Sequence, residues 1–357
     1  MNLVWVNQGD YIYGSTKKFK FAEKLAIFDL DDTLIKTKSK KKFPIDENDW
    51  AWAYENVPSK LKEICNNGYA IMIMSNQAGI EKGKSDPNVW MNKIDSISNE
   101  LNLEMRAFCS TGHNKYRKPL PTFFHEIIPN AVINNLNFEC TFYCGDCAGR
   151  KSDRMDTDYK FALNCLINFK TPEEFFMNKK EILPKVKYPD VLINSCNDIN
   201  KFKPQEKEVI IMVGYQGSGK SFVSNELSTR HNYTIINQDT LKTKHKCLSF
   251  AKQLTSENKR IVIDSTNPSK ESRKFWIDFA KENSYTARVI LMTTSAELSK
   301  HNNYYRHITT GCKLIPDIAY NMFKSHYQCP TISEGIKEII KMHCCAPENF
   351  SYYYYMY

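Results

Sequence analysis

No apolar run in the 357 residues is long enough to form a membrane-spanning helix. The opening Met1-Asn2-Leu3-Val4-Trp5-Val6-Asn7-Gln8 lacks a basic segment and is broken by Asn and Gln, so no export signal is expected. The twelve cysteines follow no framework of spacings. They are expected to be reduced, inside a cell, with nucleus and cytoplasm both open. An acidic excess is also missing: 49 Lys and Arg against 40 Asp and Glu give a formal charge of +9. That balance suits an anionic partner such as nucleic acid, and suits plain solubility equally well. What is present is length and apolar content. With 42% hydrophobic residues over 357 positions, two cores and two domains are expected.

The most informative stretch is Val209-Ile210-Ile211-Met212-Val213 followed by Gly214-Tyr215-Gln216-Gly217-Ser218-Gly219-Lys220-Ser221. This is G-x-x-x-x-G-K-S with a buried strand in front and a helix-like segment behind. Backbone around Gly214, Gly217, Ser218 and Gly219 is expected to close on the phosphates of a nucleoside triphosphate. Lys220 would reach the β- and γ-phosphates, and the Ser221 hydroxyl would bind Mg²⁺.

The first half carries a second series. The apolar Leu25-Ala26-Ile27-Phe28 runs into Asp29-Leu30-Asp31-Asp32-Thr33. Two carboxylates two residues apart at the end of a buried strand are costly unless they hold a cation or do chemistry. Ile71-Met72-Ile73-Met74 ends in Ser75, whose hydroxyl and the amides after it could hold a phosphoryl group. Lys118 follows, then Phe142-Tyr143-Cys144 ending in Gly145-Asp146. Asp146 would complete a metal site with Asp29, which is a better use of Cys144-Gly-Asp-Cys147 than a redox pair. The lysine-rich residues 36–42 read as a solvated loop, a substrate-phosphate contact or a nuclear-localisation run.

In this order the set resembles the haloacid dehalogenase superfamily of phosphotransferases. The resemblance implies that Asp29 is a nucleophile forming an aspartyl-phosphate, and that Asp31 is the general acid and base. It also implies Mg²⁺ between Asp29, Asp146 and the backbone carbonyl of Asp31, with Ser75 and Lys118 balancing phosphoryl charge.

Beyond the glycine loop, strands are expected at Tyr233-Thr234-Ile235-Ile236, at residues 259–264 and at residues 287–292, and a helix at residues 301–307. The fold class expected is α/β, with two doubly wound domains. Residues 1–180 form a haloacid dehalogenase-like domain, 181–207 a linker, 208–345 a P-loop kinase domain and 346–357 a tail.

Both halves together resemble the bifunctional polynucleotide phosphatase/kinases. The carrying stretches are 28–35, 76–83, 117–119, 145–150, 161–164 and 171–176, then 214–221, 239–241, 262–268, 301–303 and 330–335. The resemblance implies 3′-dephosphorylation and ATP-dependent 5′-phosphorylation of DNA, with RNA ends also open. It implies Asp239 as general base, Asp264 near Mg²⁺, Arg306 as a lid arginine, a monomer off the membrane and a functional link to a DNA ligase. Departures from the family pattern are Asp32 at a glycine position, Ser75 for Thr, Gln238 for Arg and Tyr304 for Arg. No forkhead-associated module precedes the first domain, so recruitment by phosphorylated scaffolds is not expected. The alternatives are a small-molecule phosphatase/kinase and an end-binding protein with one inactive site.

Overall fold

Buried apolar runs become the central strands of two separate sheets in the computed structural model, which describes residues 2–185 and 199–343. The described residues fall into two units, one on each side of that gap. Residues 186–198 of the expected linker and the whole expected tail lie outside the described residues.

The first unit has strands β1 (Val4–Asn7), β2 (Tyr11–Ser15), β3 (Lys24–Phe28), β4 (Ile35–Lys36), β5 (Ala51–Trp52), β6 (Tyr69–Asn76), β7 (Met105–Ser110), β8 (Phe142–Cys144) and β9 (Asn168–Lys170). Its helices are α1 (Val57–Asn66), α2 (Pro87–Leu101), α3 (Asn130–Ile133), α4 (Thr157–Asn164) and α5 (Pro172–Met177). Seven strands make one sheet in the order β1-β2-β7-β6-β3-β8-β9. The five from β7 to β9 run parallel, and β1 and β2 form an antiparallel edge ribbon. Alternation along β3 and β6 sends Ala26, Phe28, Ile71 and Ile73 to one core with Leu61 and Ile94. Leu25, Ile27, Met72 and Met74 go to the other core with Phe123, Phe124 and Phe161. Apolar residues on both faces are what a parallel sheet covered on both sides requires. Thr171-Pro172-Glu173-Glu174 starts α5 with a capping box, the Thr171 hydroxyl accepting from the Glu174 amide at 3.1 Å.

The second unit has β10 (Glu208–Val213), β11 (Tyr233–Ile236), β12 (Arg260–Ile263), β13 (Thr286–Met292) and β14 (Glu338–Met342). Its helices are α6 (Lys220–His231), α7 (Gln238–Leu241), α8 (Lys244–Ser256), α9 (Lys270–Glu282), α10 (Ala296–Thr310) and α11 (Asp317–His326). All strand pairs are parallel, in the order β11-β12-β10-β13-β14. The chain therefore steps to one side of β10 and then to the other, which opens a crevice at the carboxyl end of β10. β3 is the equivalent strand of the first sheet, with β6 and β7 on one side and β8 and β9 on the other. No helix among the described residues is long and apolar enough to cross a membrane.

Candidate functional site

At the carboxyl end of β3 the chain turns sharply at Asp29-Leu30-Asp31-Asp32. The Asp29 amide donates to the Cys144 carbonyl at 2.9 Å, which keeps Asp29 in line with the sheet. Asp32 has φ 58°, the left-handed region that glycine usually fills and that Asp tolerates. Lys118 is buried beneath this turn. Its ammonium lies 2.8 Å from Asp29 Oδ1 and 2.7 Å from Asp158 Oδ1, and donates to the Met74 carbonyl at 3.1 Å. Asn76, at the end of β6, clamps the lysine's backbone: Oδ1 accepts from the Lys118 amide at 3.0 Å and Nδ2 donates to its carbonyl at 3.1 Å. Gln77 Nε2 donates to Asp31 Oδ2 at 3.0 Å and to the buried Ser75 hydroxyl at 2.8 Å. Thr33 cross-braces the site, its hydroxyl accepting from the Asp146 amide at 3.1 Å.

One expectation is corrected here. The Gln77 amide donates to the Ser110 carbonyl at 2.8 Å, so the backbone after Ser75 is not wholly open to a phosphoryl group. Cys144 and Cys147 are both free thiols, Cys144 buried within β8.

Asp29 and Asp158 share the Lys118 ammonium, and Asp146 lies within its field. Burial pushes the Asp29 carboxyl well above its ordinary range, with Lys118 opposing and Asp158 and Asp146 adding to the rise. Burial, then repulsion from Asp158, raises Asp146 to about 6. Burial alone would depress Lys118, but Asp158 and Asp29 override it and keep the ammonium charged. An excess of hard oxygen donors is the setting that suits Mg²⁺. Asp146, Cys147 and Asp158 have ligand atoms within 4.8 Å of one another. Burial holds the Cys147 thiol protonated, and Asp158 is taken up by Lys118 and by the Cys147 amide at 3.0 Å. Asp146 is the carboxylate of this cluster that makes no ion pair with Lys118, so it is the one left to take a cation.

In the second unit the loop after β10 depends on glycine. Gly217 has φ 77°, and a Cβ there would collide with the Ser299 carbonyl oxygen of α10. Gly219 has φ 95° and opens α6, while Gly214 has its backbone against Met292 and Ser218. The Ser218 amide turns inward to the Tyr215 carbonyl at 3.2 Å. Lys220 Nζ donates to the carbonyls of Gly214 at 3.0 Å and Tyr215 at 2.6 Å. Its pKa is lowered to about 8 by burial, with Asp264 countering and the Arg306 charge adding. The Ser221 hydroxyl donates to Asp264 Oδ2 at 2.8 Å, and Asn237 Nδ2 reaches the same oxygen at 3.1 Å. Asn237 Oδ1 in turn accepts from the Asp239 amide at 2.7 Å, starting α7 and exposing the Asp239 carboxylate at the crevice. Asn302 ties α10 to the loop through the Gly217 carbonyl at 3.0 Å, and Arg306 lies exposed one turn further along. Arg273 holds Glu334 with two bonds of 2.8 Å and donates to the carbonyls of Asn267 and Pro268, fixing the loop that follows Asp264.

Asp158, Asn76, Thr33 and Asn237 were not singled out in the sequence. Asn237 had a signal, an N-cap residue directly before a helix-starting acid. Residues 36–42 span the β4–β5 connection, with all five lysines exposed, and Gln238 is exposed on α7.

Residues 24–176 match the family Polynucleotide kinase 3 phosphatase, and residues 209–328 match the AAA domain. A bifunctional polynucleotide phosphatase/kinase of Schizosaccharomyces pombe is 39% identical over 332 residues, covering 92% of this chain and 80% of its own. A protein of Acanthamoeba polyphaga mimivirus provisionally given the same name is 33% identical over 380 residues, 94% of this chain and 89% of its own. A polynucleotide 3′-phosphatase of Saccharomyces cerevisiae is 30% identical over 203 residues, 42% of this chain and 85% of its own. Relatives thus extend across both sheets, a haloacid dehalogenase-like phosphatase followed by a P-loop kinase, and the chain belongs to the bifunctional polynucleotide phosphatase/kinases.

Proposed function

We propose that the protein heals DNA ends, removing a 3′-phosphate in the first unit and phosphorylating a 5′-hydroxyl with ATP in the second. The observation that carries this is one chain holding both the Asp29–Lys118 pair at 2.8 Å and the Ser221–Asp264 pair at 2.8 Å, each at the carboxyl end of its own parallel sheet.

In the first unit Asp29 attacks phosphorus, and Asp31 protonates the departing 3′-oxygen as the aspartyl-phosphate forms. Asp31 then takes a proton from the water that releases phosphate and restores Asp29. Gln77 orients Asp31 for both steps. Lys118, locked by Asp158 and Asn76, opposes the burial that raises the Asp29 carboxyl and, with Ser75, balances phosphoryl charge. In the second unit Asp239 accepts the proton of the 5′-hydroxyl. The backbone of residues 214–219 cradles ATP phosphates, Lys220 exchanges its two carbonyls for them, and Arg306 stabilises charge on the transferring phosphoryl group. Mg²⁺, for which Asp29, Asp146 and the Asp31 carbonyl are the donors in one unit and Ser221 with Asp264 in the other, supplies charge neutralisation at phosphoryl oxygens when bound. The products, a 3′-hydroxyl and a 5′-phosphate, are what a ligase joins, so a functional link to a DNA ligase follows.

The test is incubation of oligonucleotides bearing labelled 3′-phosphate or free 5′-hydroxyl ends with Mg²⁺ and ATP, across DNA, RNA, nicked and gapped forms. Loss of the 3′ label and gain of a 5′ label are expected. Turnover of small phosphomonoesters with no action on any oligonucleotide would overturn the reading.

A further inference from the structure

Outside both catalytic sets, a strip of rings and cations runs along β2 and β7. Register pairs Tyr11 with Ser110, Tyr13 with Phe108 and Ser15 with Arg106, so Tyr11, Tyr13 and Arg106 share one face. The Tyr11 ring centroid is 4.4 Å from that of Tyr116 and 6.1 Å from that of Tyr13. The Arg106 guanidinium sits between Tyr13 at 5.0 Å and Phe21 at 5.3 Å, and its buried Nε has no hydrogen-bond partner. Both tyrosines and Phe21 keep part of their surface in solvent.

The strip has a direction. Tyr116 lies two residues before Lys118, and Tyr11 pairs at the carboxyl end of β7, beside the phosphatase site. Ser15 marks the far end, four residues or about 14 Å along the strand. Past it, Lys17, Lys18 and Lys20 are exposed, and their ammonium groups make no ion pair among the described residues. Glu104 Oε2 accepts from the Lys18 amide at 3.2 Å without pairing with an ammonium among the described residues. Rings that can stack bases, followed by exposed cations that make no ion pair, are the two components of a single-strand binding surface.

We propose that this strip is the track for the strand whose 3′-phosphate is being removed, and that it takes the nucleotides on the 5′ side of that end. This rests on reading the first unit as a polynucleotide 3′-phosphatase. With the end fixed at Asp29, the polymer must leave the site in one direction. The strip, about 14 Å long, has room for a few nucleotides of a single strand. Tyr11 and Tyr13 stack bases, and the three lysines meet phosphates.

The experiment uses the full chain with Lys17→Glu, Lys18→Glu and Lys20→Glu combined, and single-stranded 3′-phosphorylated DNA of two and eight nucleotides. In the wild type, KM should fall about tenfold from the short to the long substrate. The variant should lose that gain and lose about two units of salt slope on the long substrate, three contacts at about 0.7 each. Turnover of the dinucleotide should be unchanged, which shows that the unit is folded. A variant that keeps both the length dependence and the salt slope would overturn the track and leave the rings as a cap on the core beneath them. A variant that loses both without a change in dinucleotide turnover supports it. No turnover of either length by the wild type would overturn the 3′-phosphatase reading itself, and the track with it.

Discussion

A single side chain, Asn237, links the two acids of the kinase site. It donates to Asp264 and accepts from the amide of Asp239, so it sets the distance between the phosphate-side acid and the general base. Asn237→Ala should lower kinase kcat by about 10²-fold, the scale of a small misplacement of reacting groups, with ATP KM little changed. Steady-state kinetics on a 5′-hydroxyl oligonucleotide check this, and a wild-type kcat would reduce Asn237 to a helix cap. Of the acids that Asn237 joins, Asp264 was legible because it ends an apolar strand, whereas Asp239, on α7 beyond the end of β11, was pointed to only by the family resemblance. Asp158 was not. It meets Lys118 through space, and nothing in the spacing separates it from Asp153 and Asp156 beside it. Asp32 was half legible: at a glycine position an Asp needs either a negative φ or a tolerated left-handed backbone, and the structure takes the second, with φ 58°.

Helix α10 is the element whose two halves do different work. Its first half is docked, with Leu298, Ser299, His301 and Asn303 buried, and its second half carries Arg306 into solvent. Arg306→Ala should cut kinase kcat by about 10³-fold or more, the scale of an arginine that acts in the transition state. ATP affinity should change far less, and near-normal kcat would make Arg306 a surface charge only. Burial lowers His301 from 6.5 to about 4. Between those values the unfolded chain binds the proton and the folded chain does not, so stability falls as pH falls through this window. At pH 5 the loss should be about 2 kcal/mol. Urea unfolding at pH 7.5 and 5 should show that much more pH dependence in the wild type than in His301→Gln, and equal dependence would rule it out. Elements with continuous apolar runs, such as β3, β6 and β10, were legible. β7 was not, because Arg106 interrupts Met105-Arg106-Ala107-Phe108 and only the rings of Tyr13 and Phe21 make that position tolerable. β4 and β5, two residues each, are too short to leave a pattern.

For the whole molecule, two large sheets, each packed on both faces by its own apolar clusters, predict two separable activities. Asp29→Asn should abolish 3′-dephosphorylation and leave 5′-phosphorylation largely intact, and Lys220→Ala should do the reverse. Paired assays on one oligonucleotide check both, and a folded variant that lost both activities would show that the sites are not independent. The order of the two halves was legible because each announces itself with its own strand-end series. The connection between them was not, since lysine, proline and asparagine without periodicity specify no element. The Arg273–Glu334 pair adds a consequence for synthesis. A buried guanidinium without its carboxylate costs about 3–5 kcal/mol, so the loop after Asp264 cannot settle until Glu334 has been made. β14 likewise joins the second sheet only at the end of the described chain. The described residues of the first unit run to 185, and they leave the ribosome roughly ten to thirty seconds before β14 of the second unit at ordinary elongation rates. The first unit therefore emerges ahead of the second, and a chain truncated after residue 185 should still remove the phosphate from a 3′-phosphorylated oligonucleotide.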